Sequence, residues 1–319
     1  LFTDIANRDL TDSERQAAIA GLTLLLDRRY PAGDNKRANI LHMAIQCLYE
    51  IFETVPSITV GGTSKYARID WETRTEVRAP RGPEETLVVN GHDFPPEGDE
   101  CDARVVVDSY KLGWKKFLCY GYAGQRFLGS GLGSDSDDVT IDAYGSSGDY
   151  LASGLDGATV TVHGNAQDQL AQIMKRGRLV VHGDVGQTFM YGAKGGVVFV
   201  KGNAAGRPLI NGVGRPKAII NGTCLDFLAE SFMAGDPLNG GGFVILNGIK
   251  FDEDGNIVEL DTPYSGSNLF SLASGGAIYV RDPRQTLDNE QLNGGEYREL
   301  TDADWELIEP YLEENERLF

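Results

Sequence analysis

A glycine-centred segment recurs at a nearly constant interval in the middle of the chain. Each copy has a short β-branched run, then a glycine, then a small polar residue, as in ATVTVHGNA and VVFVKGNAA. The repeat glycines lie 19, 19, 19 and 20 residues apart, at Gly145, Gly164, Gly183, Gly202 and Gly222. A period near 20 residues is typical of a solenoid in which each repeat forms one coil.

Apolar residues recur at three places in each repeat. Residues two and four positions before the glycine match one face of a strand, and we expect them to point inward: Val160, Val162, Leu179, Val181, Val198, Val200, Ala218 and Ile220. Further apolar residues follow six and ten positions after it: Leu151, Leu170, Phe189, Leu228, Leu155, Met174, Ala193 and Phe232. Three inward clusters per coil predict an all-β core in a right-handed parallel β-helix.

Helical patterns precede and follow the repeats. TDSE at 11–14 has capping-box spacing, ANILHMAIQCLYEIF follows it, and LTDADWELIEPYLEENERLF closes the chain. The pieces SITVGG, TLVVNG and ARVVVDSYKLG have strand character, as does GGAIYVRDP at 275–283, whereas FDEDGNIVELDTPYSGSN is expected to be a surface loop. We predict a helical N-terminal region and cap over 1–80, the β-helix over 81–283 and an acidic helical tail over 284–319 that seals the last coil.

The repeat glycines are interpreted as corners, where glycine adopts a positive φ without a Cβ penalty and the next polar residue bonds local backbone. The Gly-x-Gly triplets at 129–133 and 212–214 are not followed by a helical pattern, which argues against a dinucleotide site. His163 and His182 precede successive repeat glycines and are expected to stack in an external column. This column includes Tyr144, Lys201 and Asn221.

Such a column is a candidate metal or proton site. An exposed column without function is the favoured interpretation, because two imidazoles make an incomplete site and Lys201 would repel a cation. His42 and His92 are interpreted as structural. We therefore predict no catalytic, cofactor-binding or metal-binding residue in the chain.

Composition excludes some partners. A net charge of −18 without a basic stripe argues against nucleic acid and anionic membranes. No apolar stretch is long enough to span a bilayer, and there is no signal-peptide pattern. Four scattered cysteines form no C-x-x-C pair, so we expect buried, inert thiols and a cytoplasmic protein: Cys47, Cys101, Cys119 and Cys224.

The stretches YGYAGQRFLGSGLG, SSGDYLASGLDGATVTVHGNA and GDVGQTFMYGAKGGVVFVKGNA resemble the C-terminal β-helical domain of the glutamate synthase large subunit, which carries the GXGXG pattern. One of the subunits of formylmethanofuran dehydrogenase is similar as well. The resemblance covers roughly residues 117–283. It implies a domain that connects catalytic parts, since in glutamate synthase an N-terminal cysteine hydrolyses glutamine and a barrel domain holds FMN and an iron–sulfur cluster.

This chain begins with Leu1 and shows no barrel pattern or cluster cysteines. The resemblance therefore implies a non-catalytic accessory subunit of a redox complex, most similar to glutamate synthase, with any FMN or iron–sulfur cluster in partner subunits. A scaffold of the formylmethanofuran dehydrogenase type is one alternative. The other is a polysaccharide lyase or hydrolase, for which Asp135, Asp137 and Asp138 form the densest acidic cluster.

Two apolar helix faces are larger than the capping of one coil requires. They contain Ile40, Met43, Cys47 and Ile51 at one end and Trp305, Ile308 and Leu312 at the other. We expect them to be buried against a partner subunit or a second copy of the chain.

Overall fold

The computed structural model describes residues 9–319, so Leu1 lies outside the described residues. The α-helices in this range are α1 (Asp12–Asp27), α2 (Arg37–Glu53), α3 (Asp102–Lys111) and α4 (Asp302–Leu318). The first strands are β1 (Tyr66–Ile69), β2 (Thr86–Asn90), β3 (Lys116–Tyr120), β4 (Thr140–Ala143), β5 (Asp156–Val162) and β6 (Arg176–Val181). They are followed by β7 (Val197–Val200), β8 (Lys217–Ile220), β9 (Phe243–Leu246), β10 (Ile249–Phe251), β11 (Ile257–Glu259) and β12 (Ala277–Val280).

One parallel sheet of ten strands dominates the structure. Its order is β1-β2-β3-β4-β5-β6-β7-β8-β9-β12, so nearly every strand pairs with the next one along the chain. The strands β10 and β11 lie outside it and form an antiparallel hairpin, of which β11 lies in the segment predicted as a surface loop. The described chain is therefore an α/β structure built on one long parallel sheet.

The register of the sheet matches the repeat. Val160 pairs with Leu179, Leu179 with Val198, and Val198 with Ala218, as the sequence predicts. All the predicted inward residues are buried and belong to one apolar cluster that runs along the inner face. The repeat period therefore equals the step from one strand to its neighbour.

A second series of parallel bridges lies two residues after the repeat glycines. It joins Ser147, Ala166, Val185, Ala204 and Cys224 in succession. Further along each repeat the backbone turns through left-handed residues. The residue seven positions after each repeat glycine is left-handed, with φ between 53° and 58°. These residues are Ala152, Ala171, Met190, Leu209 and Ala229. These residues are buried, and amides such as Ala171 N donate to the preceding repeat at Leu151 O, 2.8 Å away.

The flanking helices pack on the outer face of the sheet. The helices α1 and α2 cover a cluster that includes Val88, Leu118 and Tyr120, and α4 covers one that includes Phe199 and Ile219. The sequence predicts that these helices seal the ends of the repeats. They pack on the outer face instead, because the outward strand positions beneath each of them are apolar. β1 begins at Tyr66, within the segment predicted as helical, and the domain boundaries themselves stay predictions.

Local signals predicted some elements correctly and others wrongly. The capping box of Thr11 and Glu14 is present, and TLVVNG and GGAIYVRDP contain β2 and β12. SITVGG contains no strand, only a bridge at Ser57. ARVVVDSYKLG was wrongly expected to be a strand: it contains most of α3, which buries Val105, Val106 and Ser109. Spacings of one and four residues suit a helix face, so packing overrides the strand propensity of the valines.

Candidate functional site

The repeat glycines lie in a column beside the sheet, immediately beyond its strands. Gly145 has a φ of +109°, whereas Gly164, Gly183, Gly202 and Gly222 do not have positive φ. The predicted left-handed corner is therefore wrong at four positions. Glycine is required there by close packing, since a Cβ on Gly164 would lie 2.9 Å from the Gly145 carbonyl oxygen and one on Gly202 would lie 2.9 Å from that of Gly183.

The polar residues after the glycines connect successive repeats. Asn165 Oδ1 accepts from the Asp184 amide (2.9 Å), and Asp184 Oδ1 accepts from the Asn203 amide (2.7 Å). Asn203 Oδ1 continues the ladder to the Thr223 amide at 3.0 Å. These bonds join neighbouring repeats, whereas the sequence predicted local bonds. The glycines and the ladder together join successive repeats along one edge of the strands.

The residues that precede the repeat glycines form the predicted stack. The Tyr144 and His163 rings are stacked 4.4 Å apart, and the His163 and His182 rings 5.6 Å apart. The expected exposure is wrong: the His163 and His182 side chains are only 4% and 6% exposed. The helix α1 causes this burial because it crosses the outer face and brings its last residue, Asp27, against the stack.

Asp27 and the two imidazoles converge on one point. Asp27 Oδ2 lies 2.9 Å from His163 Nδ1 and 3.4 Å from His182 Nε2. On the other side of the His163 ring, Nε2 lies 3.3 Å from Asp142 Oδ1. One candidate ligand atom from each of Asp27, His163 and His182 lies within 4.8 Å of the others, so this trio could hold a metal ion.

The site shifts the pKa values of its two histidines in opposite directions. Burial by itself would lower the pKa of His163, but hydrogen bonds with Asp142 and Asp27 outweigh burial and raise this pKa to about 9. Burial lowers the pKa of His182 to about 3, and the positive charges of His163 and Lys201 act in the same direction. Burial and the nearby Arg37 lower the pKa of Lys201 to about 8. Without a metal, His163 is therefore the charged imidazole and His182 the neutral one.

The other residues of the stack form hydrogen bonds with α1 or α4, the helices that flank the repeats in the chain. Tyr144 shares a hydrogen bond of 2.9 Å with Thr23 of α1, and the Lys201 ammonium donates to the main-chain oxygen of Asp27. Asn221 Oδ1 accepts from Asn315 of α4 at 2.8 Å. Sequence reasoning missed Asp27 and Asp142. Asp142 has a detectable signal, since it occupies an outward position of β4, but Asp27 lies 136 residues from His163 and has none.

The other candidate residues lie apart from this site. Asp137 pairs with Arg176 and Asp138 with Lys115, while the main-chain oxygen of Asp135 accepts from Tyr110. His42 and His92 are exposed. The four cysteines are buried, as expected, and none of them forms a disulfide; burial raises the pKa of the Cys119 and Cys224 thiols.

The Ile40, Met43, Cys47 and Ile51 face is largely occupied within the chain. Cys47 and Ile51 are buried, and Met43 is 46% exposed. The second face is divided in the same way, because Ile308 is buried and Trp305 is 50% exposed. A partner is thus not required to cover most of either face. Among residues 9–319, no helix is both long and apolar enough to cross a membrane.

Comparison with known proteins identifies the family. The model of the GXGXG motif family matches residues 119–314, from β3 into α4, which is more than half of the chain. No curated protein and no solved structure matches the chain significantly. The resemblance to formylmethanofuran dehydrogenase stays a prediction. The strands β4–β9 and β12 all lie within the matched range, and the chain therefore belongs to the GXGXG motif family, as its resemblance to the C-terminal domain of glutamate synthase predicted.

Proposed function

We propose that the repeats form a right-handed parallel β-helix. The parallel sheet, the second series of bridges and the left-handed turns recur with the same period, which supports three stacked segments per coil. The glycine column and the Asn-Asp ladder add contacts between successive repeats, which a stack of coils would contain.

We further propose that the chain is a non-catalytic accessory subunit of a glutamate-synthase-like redox complex. The observation that carries this proposal is the GXGXG family match over residues 119–314. The buried inner face agrees with it, because that face is filled by apolar side chains. A filled interior suits a rigid connecting body better than a substrate cavity.

In this proposal FMN and iron–sulfur clusters belong to partner subunits, and the complex is cytoplasmic. The thiols of this chain are unsuited to hold a cluster, since all four are buried and dispersed, and a cluster requires several converging thiolates. Self-association is a second proposed form of assembly, for which the exposed Met43 and Trp305 side chains are the candidate contacts.

The test is reconstitution. The chain and an FMN-binding glutamate synthase subunit from the same organism would be expressed separately and together, then analysed by size-exclusion chromatography with light scattering and flavin absorbance. We expect the chain alone to be colourless and the pair to coelute with flavin. Separate elution, or stoichiometric flavin in the chain alone, would refute this proposal.

The same coelution assay with a different partner subunit tests one of the alternatives. Coelution with a formylmethanofuran dehydrogenase subunit instead would favour the related scaffold role. Among the described residues no observation favours a polysaccharide lyase or hydrolase; Asp137 pairs with Arg176 and Asp138 with Lys115.

A further inference from the structure

We propose that Asp27, His163 and His182 form a binding site for a divalent first-row transition metal ion, with Zn²⁺ as the best fit. The three side chains come from the end of α1 and from the residues that follow β5 and β6. They converge although the sequence separates Asp27 from His163 by 136 residues. Nothing in the family match or in the proposed accessory role requires them to do so.

The hydrogen-bonding capacity of His163 provides the first argument. Each of its ring nitrogens faces a carboxylate, Nδ1 at Asp27 (2.9 Å) and Nε2 at Asp142 (3.3 Å). Without a metal, the charged imidazole has two N–H groups and donates to both carboxylates. A metal ion would displace the Nδ1 proton and bind that nitrogen together with Asp27, while Nε2 continues to donate to Asp142.

His182 supplies the second imidazole to the same point. Its Nε2 lies 3.4 Å from the Asp27 oxygen that also faces His163. Among the described residues, the Asp27 carboxylate forms hydrogen bonds and ion pairs only with these two rings. Lys201, the cation expected to oppose a metal, donates to the main-chain oxygen of Asp27 and leaves its carboxylate available.

The location of Asp27 also requires a positive partner. It is only 8% exposed and is the last residue of α1, where the helix dipole disfavours an acid. A burial of this kind is costly for a carboxylate unless a positive group compensates it. In the metal-free chain the charged His163 supplies that charge, and a metal ion shared with the two histidines would replace it.

The donor set fits zinc. Ligand atoms bonded at ~2.0–2.1 Å to a tetrahedral ion lie about 3.4 Å apart, which matches the Asp27–His182 distance of 3.4 Å, whereas the Asp27–His163 distance of 2.9 Å would have to increase when the ion binds. Asp142 has the place of the outer carboxylate that commonly orients a metal-bound histidine. A groove of about 450 Å³ beside α1 has Asp142 and Tyr144 in its lining, whereas the three candidate ligands do not line it. A bound ion would fasten α1 to two successive repeats.

Metal titration tests the site directly. Protein freed of metal with EDTA would be titrated with Zn²⁺ by calorimetry and with Co²⁺ by visible absorbance. We expect one equivalent of Zn²⁺ to bind, intense four-coordinate Co²⁺ bands, and a higher melting temperature with Zn²⁺. Asp27→Asn and His182→Gln should each weaken binding by at least about tenfold. His92→Gln, which alters an exposed histidine, should bind like the wild type.

Two results would contradict a metal site. A wild-type protein whose Co²⁺ spectrum remains that of the aqueous ion and whose melting temperature ignores Zn²⁺ would overturn the proposal. Unchanged affinity in a folded His182→Gln variant would do the same. Circular dichroism would establish the fold of each variant, and if Asp27→Asn did not fold, the wild-type Co²⁺ spectrum together with His182→Gln would decide.

Discussion

Replacing Asp102 by asparagine is expected to abolish a loss of stability that accompanies rising pH. Asp102 lies in the first turn of α3 and is fully buried. Neither of its carboxylate oxygens has a hydrogen-bond partner of good geometry among the described residues. Burial raises its pKa from 3.8 to about 7, because the charged form loses its hydration.

The magnitude follows from the two pKa values. Below pH 3.8 the carboxyl is neutral in both the folded and unfolded chain and does not oppose folding. As the pH rises toward about 7, only the unfolded chain ionises this group, so the free energy of unfolding falls. At ~1.4 kcal/mol per pH unit, the total loss is about 4 kcal/mol, most of it between pH 4 and 7.

Urea denaturation followed by circular dichroism from pH 4 to 8.5 measures this effect. The stability of Asp102→Asn relative to the wild type should increase by about 4 kcal/mol across that range. Asp108→Asn is the matched control in the same helix, because Asp108 is half-exposed and pairs with Arg104 and Lys111. Its effect should stay within about 1 kcal/mol. A difference between Asp102→Asn and the wild type that does not change with pH would refute the reasoning.

Three further substitutions, with Gly206→Ala as a control, test the repeat. Gly202→Ala should lower the free energy of unfolding by about 2 kcal/mol or more, since its Cβ would lie 2.9 Å from the Gly183 carbonyl oxygen. Gly206→Ala should be nearly neutral, as the nearest atom is 3.9 Å away; equal effects in chemical denaturation would contradict the packing argument. Val181→Asp should cost at least about 3 kcal/mol by burying a carboxylate in the inner face, and an unchanged melting temperature would disprove the register. Ile173→Gly should stabilise by about 1 kcal/mol because this half-exposed β-branched residue has a φ of 49°, and calorimetry showing a loss would argue against strain there.

The repeat by itself predicted the order and register of the central strands. Side-chain alternation assigns Val160, Leu179 and Val198 to one face, and the constant spacing places them at the same point of successive repeats. Both signals are local and periodic, so neighbouring repeats specify each other without information from the rest of the chain. The N-terminal capping box was predictable because it is also a local signal, and the burial of the cysteines because free cysteine is among the most buried residue types.

The tertiary structure decided which face of the sheet the flanking helices cover. An amphipathic helix has an apolar face, but its sequence does not state which apolar surface will receive it. Because α1 packs on the outer face, His163 and His182 are buried and Asp27 reaches them. The reason predicted for the repeat glycines was wrong at four positions, since close approach between repeats depends on backbone stacking. Periodicity determines neighbours along the repeat, whereas contacts across more than a hundred residues depend on how separate surfaces pack.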